Sequence, residues 1–137
     1  MDVEAMLGSV PLFKSLDQET IARLARQARH RVYAPEETIV TEGETGTAVY
    51  VIARGHVRVE RGAGPETMAV GRLGPGDFFG ELALIEAHPR SATVVATEET
   101  ECLLFVAWEF LALLKEHPQM ALPIMYALIE RLHRAEH

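Results

Sequence analysis

The sequence lacks several features that would commit it to a particular chemistry. Cys102 is its single cysteine, which excludes an internal disulfide, a cysteine-built zinc site and a cysteine-ligated iron–sulfur cluster within one chain. The longest uninterrupted apolar run, Cys102–Trp108, is far shorter than the ~20 residues that cross a bilayer, so we expect no membrane span. The N-terminus MDVEAMLGSV has two acids and no basic residue, so we expect no signal peptide and a cytoplasmic location.

Basic residues are also scarce. Thirteen Lys and Arg stand against twenty Asp and Glu in 137 residues, giving a formal net charge of −7. A chain of this sign repels phosphate backbones, so we expect no direct nucleic-acid binding, although one small anion can still be held locally. With 48% hydrophobic and 24% charged residues, the chain has the composition of one ordinary folded domain.

The two ends of the chain have helical periodicity. In residues 16–29 the apolar side chains recur at helical spacing, and Asp17 is well placed to cap that helix. The helical pattern returns after Val106 and continues to the C-terminus. Pro123 is unfavourable in a helix interior, because proline lacks a backbone N–H. It therefore predicts a kink or a new helix start near that position.

The middle of the chain is rich in short β-branched stretches. These stretches, in residues 30–106, are separated by turn signals at near-regular intervals, as in a β-sandwich or jelly-roll barrel. Val57 and Val59 alternate with polar residues, which indicates an antiparallel strand with one wet face. The sequence therefore predicts a mainly β fold, a β-sandwich or a jelly-roll barrel, between N-terminal helices in 1–29 and C-terminal helices in 107–137.

One stretch has the chemistry of an anion site. Residues 74–84, GPGDFFGELAL, place a glycine-rich turn before a short helical turn near Gly80, whose free N–H groups suit an anion. Arg90 follows, with a planar fork of donors that matches two oxygens of one phosphate. Ser91 adds a hydroxyl, and Glu81 has the acceptor pair that captures sugar hydroxyls. Together these residues suit a phosphate joined to a ribose.

Several motifs resemble those of a known family. FGELAL followed by PRSATV resembles the phosphate-binding cassette of the cyclic-nucleotide-binding domain family. VPLFKSLDQETIARLA resembles the family's entry helices, and TIVTEGETGTAVYVIARGHVRV resembles its opening strands, with Gly43 and Gly55 in place. The resemblance covers nearly the whole chain and implies an eight-stranded jelly-roll barrel, or double-stranded β-helix, in a single domain, 1–137, with the cassette at 79–94. We expect this domain to stand alone, without a DNA-binding or catalytic domain of its own. It implies a cyclic purine mononucleotide as ligand: Ser91 favours cyclic AMP, and cyclic GMP is the alternative.

The same resemblance implies roles for individual residues. Glu81 would accept a hydrogen bond from the ribose 2′-hydroxyl, and Arg90 would pair with the exocyclic oxygens of the cyclic phosphate. The further ligand-binding residues that it implies are Phe79, Gly80, Leu82, Ala83, Ser91 and Ala92. An apolar wall against the base is implied at Val59, Val70 and Leu73. No set of nucleophile, base and orienting partner is discernible, and no metal triad, so we expect no enzyme, no metal and no cofactor.

Other interpretations remain at this point. Glu81 and Arg90 could pair with each other as a structural ion pair. The chain could be an interaction module that keeps the fold but has lost the ligand, which the missing Thr-Ser pair of the base contact favours and the intact Glu81 and Arg90 oppose. It could also be the sensor half of a longer transcription regulator, since the helix-turn-helix of the family's DNA-binding members is missing. It could also sense another anion, such as a cyclic dinucleotide or an organic acid, through Arg90 alone. Cys102 is most simply a small buried hydrophobe, with a redox or haem role as the alternative.

The C-terminal helices are expected to carry the output. Their apolar residues, among them Ile124, Leu128 and Leu132, exceed what one contact with the barrel needs. Ligand binding in the cassette would move the helix that starts near Trp108. The ligand can shift the equilibrium between two helix positions only by the difference in its affinity for them. The moving surface would then be offered to a protein partner, or to a second copy in a homodimer.

Overall fold

Four α-helices and ten strands follow one another along the part of the chain that the computed structural model describes, residues 3–81 and 88–136. The helices are α1 Val3–Ser9, α2 Gln18–Gln27, α3 Ala107–Glu116 and α4 Ala121–Glu136. Single 3-10 turns lie at Pro11–Phe13, Gly64–Glu66 and Pro118–Met120. The strands are β1 Arg29–Tyr33, β2 Thr38–Val40, β3 Thr45–Gly46, β4 Ala48–Arg54, β5 Val57–Arg61, β6 Met68–Leu73, β7 Phe78–Phe79, β8 His88–Pro89, β9 Thr93–Ala96 and β10 Thr100–Val106.

The strands form two four-stranded sheets and one short ribbon, all antiparallel. Sheet A has the order β1-β10-β4-β7, sheet B has the order β2-β9-β5-β6, and β3 pairs with β8 in the ribbon. The predicted mainly β jelly roll with flanking helices is confirmed, and the two sheets supply its eight strands. The predicted closed barrel is not observed within the described ranges, because no strand pair there joins the two sheets. The edge strands of the sheets include β7, of two residues, and β2, of three.

The two central strands of sheet A, β4 and β10, are buried on both faces, which explains their continuous apolar runs. In β4, Tyr50 and Ile52 pack toward sheet B, where they join a cluster with Val57 and Val94. The intervening Val51 belongs to a second cluster, which the helices complete. A strand that is covered on both sides reads as an apolar run rather than as an alternation.

The helices cover the outer face of sheet A through an aromatic cluster. Phe13 precedes α2, Phe105 lies in β10 and Phe110 lies in α3, and their ring centroids are 5.9, 6.3 and 5.8 Å apart in pairs. Each of the three side chains is almost fully buried. The last strand ends where α3 begins, so the sheet and the C-terminal helices share one core.

Both predicted helix starts are confirmed. The Asp17 carboxylate accepts a hydrogen bond from the N–H of Thr20 at 2.8 Å and so caps α2. Hydrogen bonding to Thr20 holds the pKa of Asp17 below its usual range. Helix α4 starts at Ala121, so Pro123 lies in its first turn, where a missing backbone N–H costs nothing. No helix in residues 3–81 and 88–136 is long and apolar enough to traverse a bilayer.

Helix α4 has an uncovered apolar face. Tyr126, Ile129 and Leu132 are exposed by 65%, 55% and 61%, and Leu122 and Met125 by about half. Beside them lies a groove of about 350 Å³, here called the α4 groove. It is lined by Leu114, Ala121, Ile124, Met125, Leu128, Ile129 and Leu132. An apolar surface of this extent is typical of an interaction site.

Candidate functional site

A cavity of about 600 Å³ opens between sheet B, the segments on either side of residues 82–87, and α4. This volume is in the range of small-molecule sites, which combine an apolar wall with a few polar groups. Sheet B supplies the apolar wall. Val59, Val70 and Leu73, the three residues predicted to lie against a base, all line the cavity. Val70 is half exposed and Leu73 is almost buried.

The Arg90 guanidinium is fixed in a fitted space beside β4. Its Nη2 donates a hydrogen bond to the Ala48 carbonyl at 3.2 Å, and its Cζ lies 5.7 Å from the centroid of the Tyr50 ring. Two glycines leave room for it. A Cβ on Gly46 would overlap the guanidinium, and a Cβ on Gly80 would lie 2.6 Å from its Nη1. The arginine side chain is therefore ordered before any anion arrives, which limits the entropy lost on binding.

The backbone of Arg90 is held as firmly as its side chain. Its N–H donates to the Glu44 carbonyl at 2.7 Å, and its carbonyl accepts from the Gly43 N–H at 2.8 Å. These two bonds lie directly beyond the Thr45–Pro89 pair that ends the β3–β8 ribbon. Gly43 has a φ of +88°, a conformation that side chains disfavour, so glycine suits the turn that presents its N–H to Arg90.

Glu81 lies in the same cavity, on the side of α4. Its Oε1 is 3.5 Å from Nη1 of Arg131, and the two side chains are 22% and 24% exposed. The structural ion pair between Glu81 and Arg90, which was the alternative to ligand binding by these residues, is absent, although both side chains belong to the described part of the chain. The partner of Glu81 is an arginine that the sequence analysis did not single out.

The predicted ligand-binding residues come together around the cavity. Those within the described ranges all line it: Phe79, Gly80, Glu81, Arg90, Ser91 and Ala92. Leu82 and Ala83 were also predicted, and they lie outside the described residues. Phe79 is buried, and its ring stacks on Tyr50 with centroids 4.7 Å apart. Its side chain thus supports the Tyr50 ring on which the Arg90 guanidinium lies.

Four further arginines line the cavity and were missed. Arg61 and Arg72 come from sheet B, and Arg131 and Arg134 come from α4. Arg134 also pairs with Glu130 at 3.3 Å along the helix. The alternation of β5 was a signal for Arg61, which lies two residues beyond Val59. No local signal marked the α4 residues, because the way α4 docks on the sheets is not encoded in its own periodicity.

Cys102 and metal-binding clusters are two weaker candidates for a functional site. Cys102 is fully buried between the sheets, and this burial raises the pKa of its thiol to about 12. A thiol in that state is a packed apolar group rather than a nucleophile or a metal ligand. Among the described residues, no three His, Cys, Asp or Glu side chains are grouped so that they could hold a metal ion.

Comparison with known proteins decides the family. Residues 30–117 match the cyclic nucleotide-binding domain family. This chain belongs to that family. The Cyclic AMP receptor protein of Thermus thermophilus is 37% identical to the domain over 134 residues, which are 96% of this chain and 61% of that protein. A cyclic nucleotide-gated potassium channel of Rhizobium etli is 36% identical over 126 residues, which are 92% of this chain and 34% of that protein.

Solved structures agree with this assignment. The regulatory domain of Toxoplasma gondii PKA, crystallised with cAMP, has a TM-score of 0.76 at 27% identity, over 91% of this chain and 48% of that chain. The domain thus spans less than two thirds of the length of each of these relatives. One of them is named as a receptor, one as a channel and one as a regulatory domain. The shared part is the cyclic nucleotide-binding domain.

Proposed function

We propose that this domain is a sensor that binds a cyclic purine mononucleotide, cyclic AMP first, in the cavity between sheet B and α4. The observation that carries the proposal is the Arg90 guanidinium, which is held in a fitted space with Glu81 in the same cavity. A fixed fork of donors suits the two exocyclic oxygens of a cyclic phosphate. A carboxylate suits the ribose 2′-hydroxyl, and the apolar wall suits a base.

The expected contacts are sufficient for useful affinity. A hydrogen bond to a charged group contributes about 1.5–3 kcal/mol net, and micromolar binding needs about 8 kcal/mol. Arg90 with two phosphate oxygens and Glu81 with one hydroxyl would therefore supply much of the free energy. The base against Val59, Val70 and Leu73 would contribute through the burial of apolar surface. Backbone and small side-chain contacts are proposed at Phe79, Gly80, Leu82, Ala83, Ser91 and Ala92.

Cyclic AMP is proposed ahead of cyclic GMP for two reasons. A relative 37% identical to the domain is named as a cyclic AMP receptor, and a structural relative was crystallised with cAMP. Ser91 is compatible with adenine, whereas a threonine at this position would favour guanine by resemblance to the family. Cyclic GMP is retained as the alternative ligand and serves as the comparison in the titration described below.

The domain is proposed to regulate rather than to catalyse, as one domain over 1–137 that acts in the cytoplasm. Its output is proposed to pass through α4 to a second copy of the chain. Helix α4 has 16 residues, so it is about 24 Å long, and an apolar face runs along it. Such a face on a helix suits the matching face of an identical helix across a two-fold axis. We propose no direct contact with nucleic acid or with a membrane.

Isothermal titration tests the ligand. Cyclic AMP and cyclic GMP are titrated into the wild-type chain, into Arg90→Ala and into Arg26→Ala, which removes an exposed arginine of α2. We expect saturable micromolar binding by wild type and by Arg26→Ala, and a loss of at least about 100-fold in Arg90→Ala. No heat with either nucleotide, from protein that is folded by circular dichroism, would contradict the proposed function.

A second candidate ligand is a more highly charged anion, such as a cyclic dinucleotide. The observation that favours it is the presence of Arg61, Arg72, Arg131 and Arg134 around the cavity in addition to Arg90. Glu81→Gln distinguishes the two candidates. A cyclic mononucleotide should lose most of its affinity with the ribose contact, whereas an anion that is held by arginines alone should keep its affinity.

A further inference from the structure

Strand β1 is an exposed edge of sheet A. Its only strand partner within residues 3–81 and 88–136 is β10, so the ladder leaves the backbone N–H and C=O groups on its other side unpaired. Four of its five residues are exposed. At about 3.3 Å per residue, the edge is about 17 Å long. It therefore offers a second chain the backbone groups that one more strand needs.

This edge is basic, although the chain as a whole is acidic. Arg29, His30 and Arg31 follow one another in β1, whereas the formal net charge of the chain is −7. The two arginines lie on the face of Tyr33, which belongs to the cluster between the sheets. His30 lies on the other face, with its Nε2 3.7 Å from Oε2 of the buried Glu101. Among the described residues, no carboxylate forms an ion pair with either arginine of β1.

These charges select among the strands that could pair with the edge. A second copy of β1 would bring arginines of two chains together, and like charges that face each other destabilise a strand pair. An acidic strand would form pairs of opposite charge instead. Val32 is half exposed on the other face, where an apolar side chain of the added strand would cover it. Alternating acidic and apolar residues meet both requirements, because successive side chains of a strand point to opposite faces.

We propose that β1 is a docking edge for an extended acidic segment of a partner protein, which adds to sheet A as a fifth strand. The segment places acidic side chains opposite Arg29 and Arg31 and an apolar side chain beside Val32. Backbone hydrogen bonds supply the affinity, and the side chains supply the specificity. The inference does not depend on the proposed nucleotide binding, because no residue of β1 lines the cavity.

Fluorescence anisotropy with a labelled synthetic peptide tests the docking edge. The probe is a peptide of alternating Glu and Val, about seven residues long, which is enough to span β1. We expect its binding to the wild-type chain to saturate below about 1 mM peptide. The double variant Arg29→Glu, Arg31→Glu should bind at least about 10-fold more weakly, because attraction becomes repulsion at two positions.

Arg26→Glu is the matched control for charge. Arg26 is exposed in the last turn of α2, close to β1 in the chain but not on the strand. The same reversal of charge there should change the affinity for the peptide by less than about 2-fold, because water and salt screen exposed charges that are not in contact. If circular dichroism shows that the double variant does not fold, Arg29→Gln and Arg31→Gln replace it. Each of them should weaken binding by about 3-fold.

Two N-methylated peptides test whether the probe binds as a strand. Successive amides of a strand point to opposite sides, so methylation of one alternating set of backbone nitrogens removes the donors that face β1. Methylation of the other set leaves those donors intact. We expect one methylated peptide to bind at least about 10-fold more weakly than the probe, and the other to bind within about 3-fold of it.

The outcomes either support the docking edge or overturn it. Weaker binding by the β1 variants, with Arg26→Glu unchanged and one methylated peptide impaired, supports it. Equal losses in Arg26→Glu and in the β1 variants, or equal binding of the two methylated peptides, would show that only the net charge attracts the peptide. A single-stranded oligonucleotide that displaces the peptide at a similar concentration would assign the basic edge to phosphates. Each of these results overturns the inference, as does a folded wild-type chain that does not bind the probe.

Discussion

Gly46 leaves the space that the Arg90 guanidinium occupies: a methyl group at Gly46 would overlap the guanidinium, and nothing else lies as near. The glycine belongs to the β3–β8 ribbon, which also carries the arginine's backbone bonds. A residue without a functional side chain thus determines where the guanidinium lies that we propose to bind the anion.

Gly46→Ala should weaken ligand binding while it leaves the fold intact. The three atoms nearest to the added methyl all belong to the flexible end of the Arg90 side chain, so we expect the guanidinium to shift rather than the strand. Affinity for cyclic AMP should fall by about 10-fold or more, which is the loss of one charge-assisted bond. Titration calorimetry measures it, with Gly8→Ala as control, because a Cβ on Gly8 would contact nothing. Unchanged affinity in Gly46→Ala would show that Arg90 does not bind the ligand from this position.

Phe110→Ala should destabilise the domain severely. Phe110 is 1% exposed and joins the aromatic cluster between α3, β10 and the N-terminal turn. Truncating a buried phenylalanine costs about 3–5 kcal/mol. Trp108→Ala is the matched control on the same helix, because Trp108 is 71% exposed and its loss should cost about 0.5 kcal/mol. Urea denaturation gives both values, and similar midpoints for the two variants would contradict the packing of α3 on sheet A.

Ile129→Glu should abolish self-association. Ile129 is 55% exposed and lines the α4 groove, so a charge there would be buried against the second copy without a partner. Val32→Glu is the control, because Val32 is exposed by 51% but lies on β1. Sedimentation equilibrium should give a dimer for wild type and Val32→Glu and a monomer for Ile129→Glu. A wild-type monomer at all concentrations would contradict the proposed dimer.

The Cys102 thiol should be unreactive in the folded protein. Its pKa of about 12 in the folded state leaves almost no thiolate at pH 8, and the side chain is fully buried. A disulfide reagent at pH 8 should label it only after unfolding by guanidinium. Fast labelling of the native protein would contradict the packing between the sheets.

The same thiol should make the domain less stable in alkali. The pKa of a free thiol is near 9, so between pH 9 and about 12 the unfolded chain releases a proton that the folded chain retains. The folded state therefore loses stability as the pH rises through this window. Tyr33, whose pKa burial raises to about 12, acts in the same direction above pH 10. Denaturation midpoints at pH 8 and pH 10.5 test this, and the decrease should be smaller in Cys102→Ala.

The sequence predicted correctly those features that depend on interactions between residues close together in the chain. The cap at Asp17 depends on a residue three positions along the chain, and the start of α4 near Pro123 depends on the covalent geometry of proline. The alternation of Val57 and Val59 likewise follows from the pleat of one strand. The cassette residues were found as a group because they lie close together in the sequence.

What the sequence could not predict depends on contacts between distant segments. The fit between Gly46 and Arg90 joins residues 44 positions apart, and Arg131 meets Glu81 across 50 positions. Neither contact leaves a periodic signal, because each is set by how the ribbon and α4 dock on the sheets. The sequence did not predict the open edges of the two sheets for a related reason. The spacing of turns indicates the number of strands, but not which strands are hydrogen-bonded to each other.

The cavity and the α4 groove lie on different faces of the same helix, so binding at one can be coupled to binding at the other. Arg131 is on the face toward the cavity, and the α4 groove, where we propose that a second copy binds, is lined by other residues of the same helix. If occupancy of the cavity changes the dimerisation constant, thermodynamic reciprocity requires dimerisation to change the nucleotide affinity by the same factor. The apparent dissociation constant for cyclic AMP would then depend on the protein concentration in the cell of the calorimeter. Dilution of the chain would then change its nucleotide affinity, as an allosteric effector would.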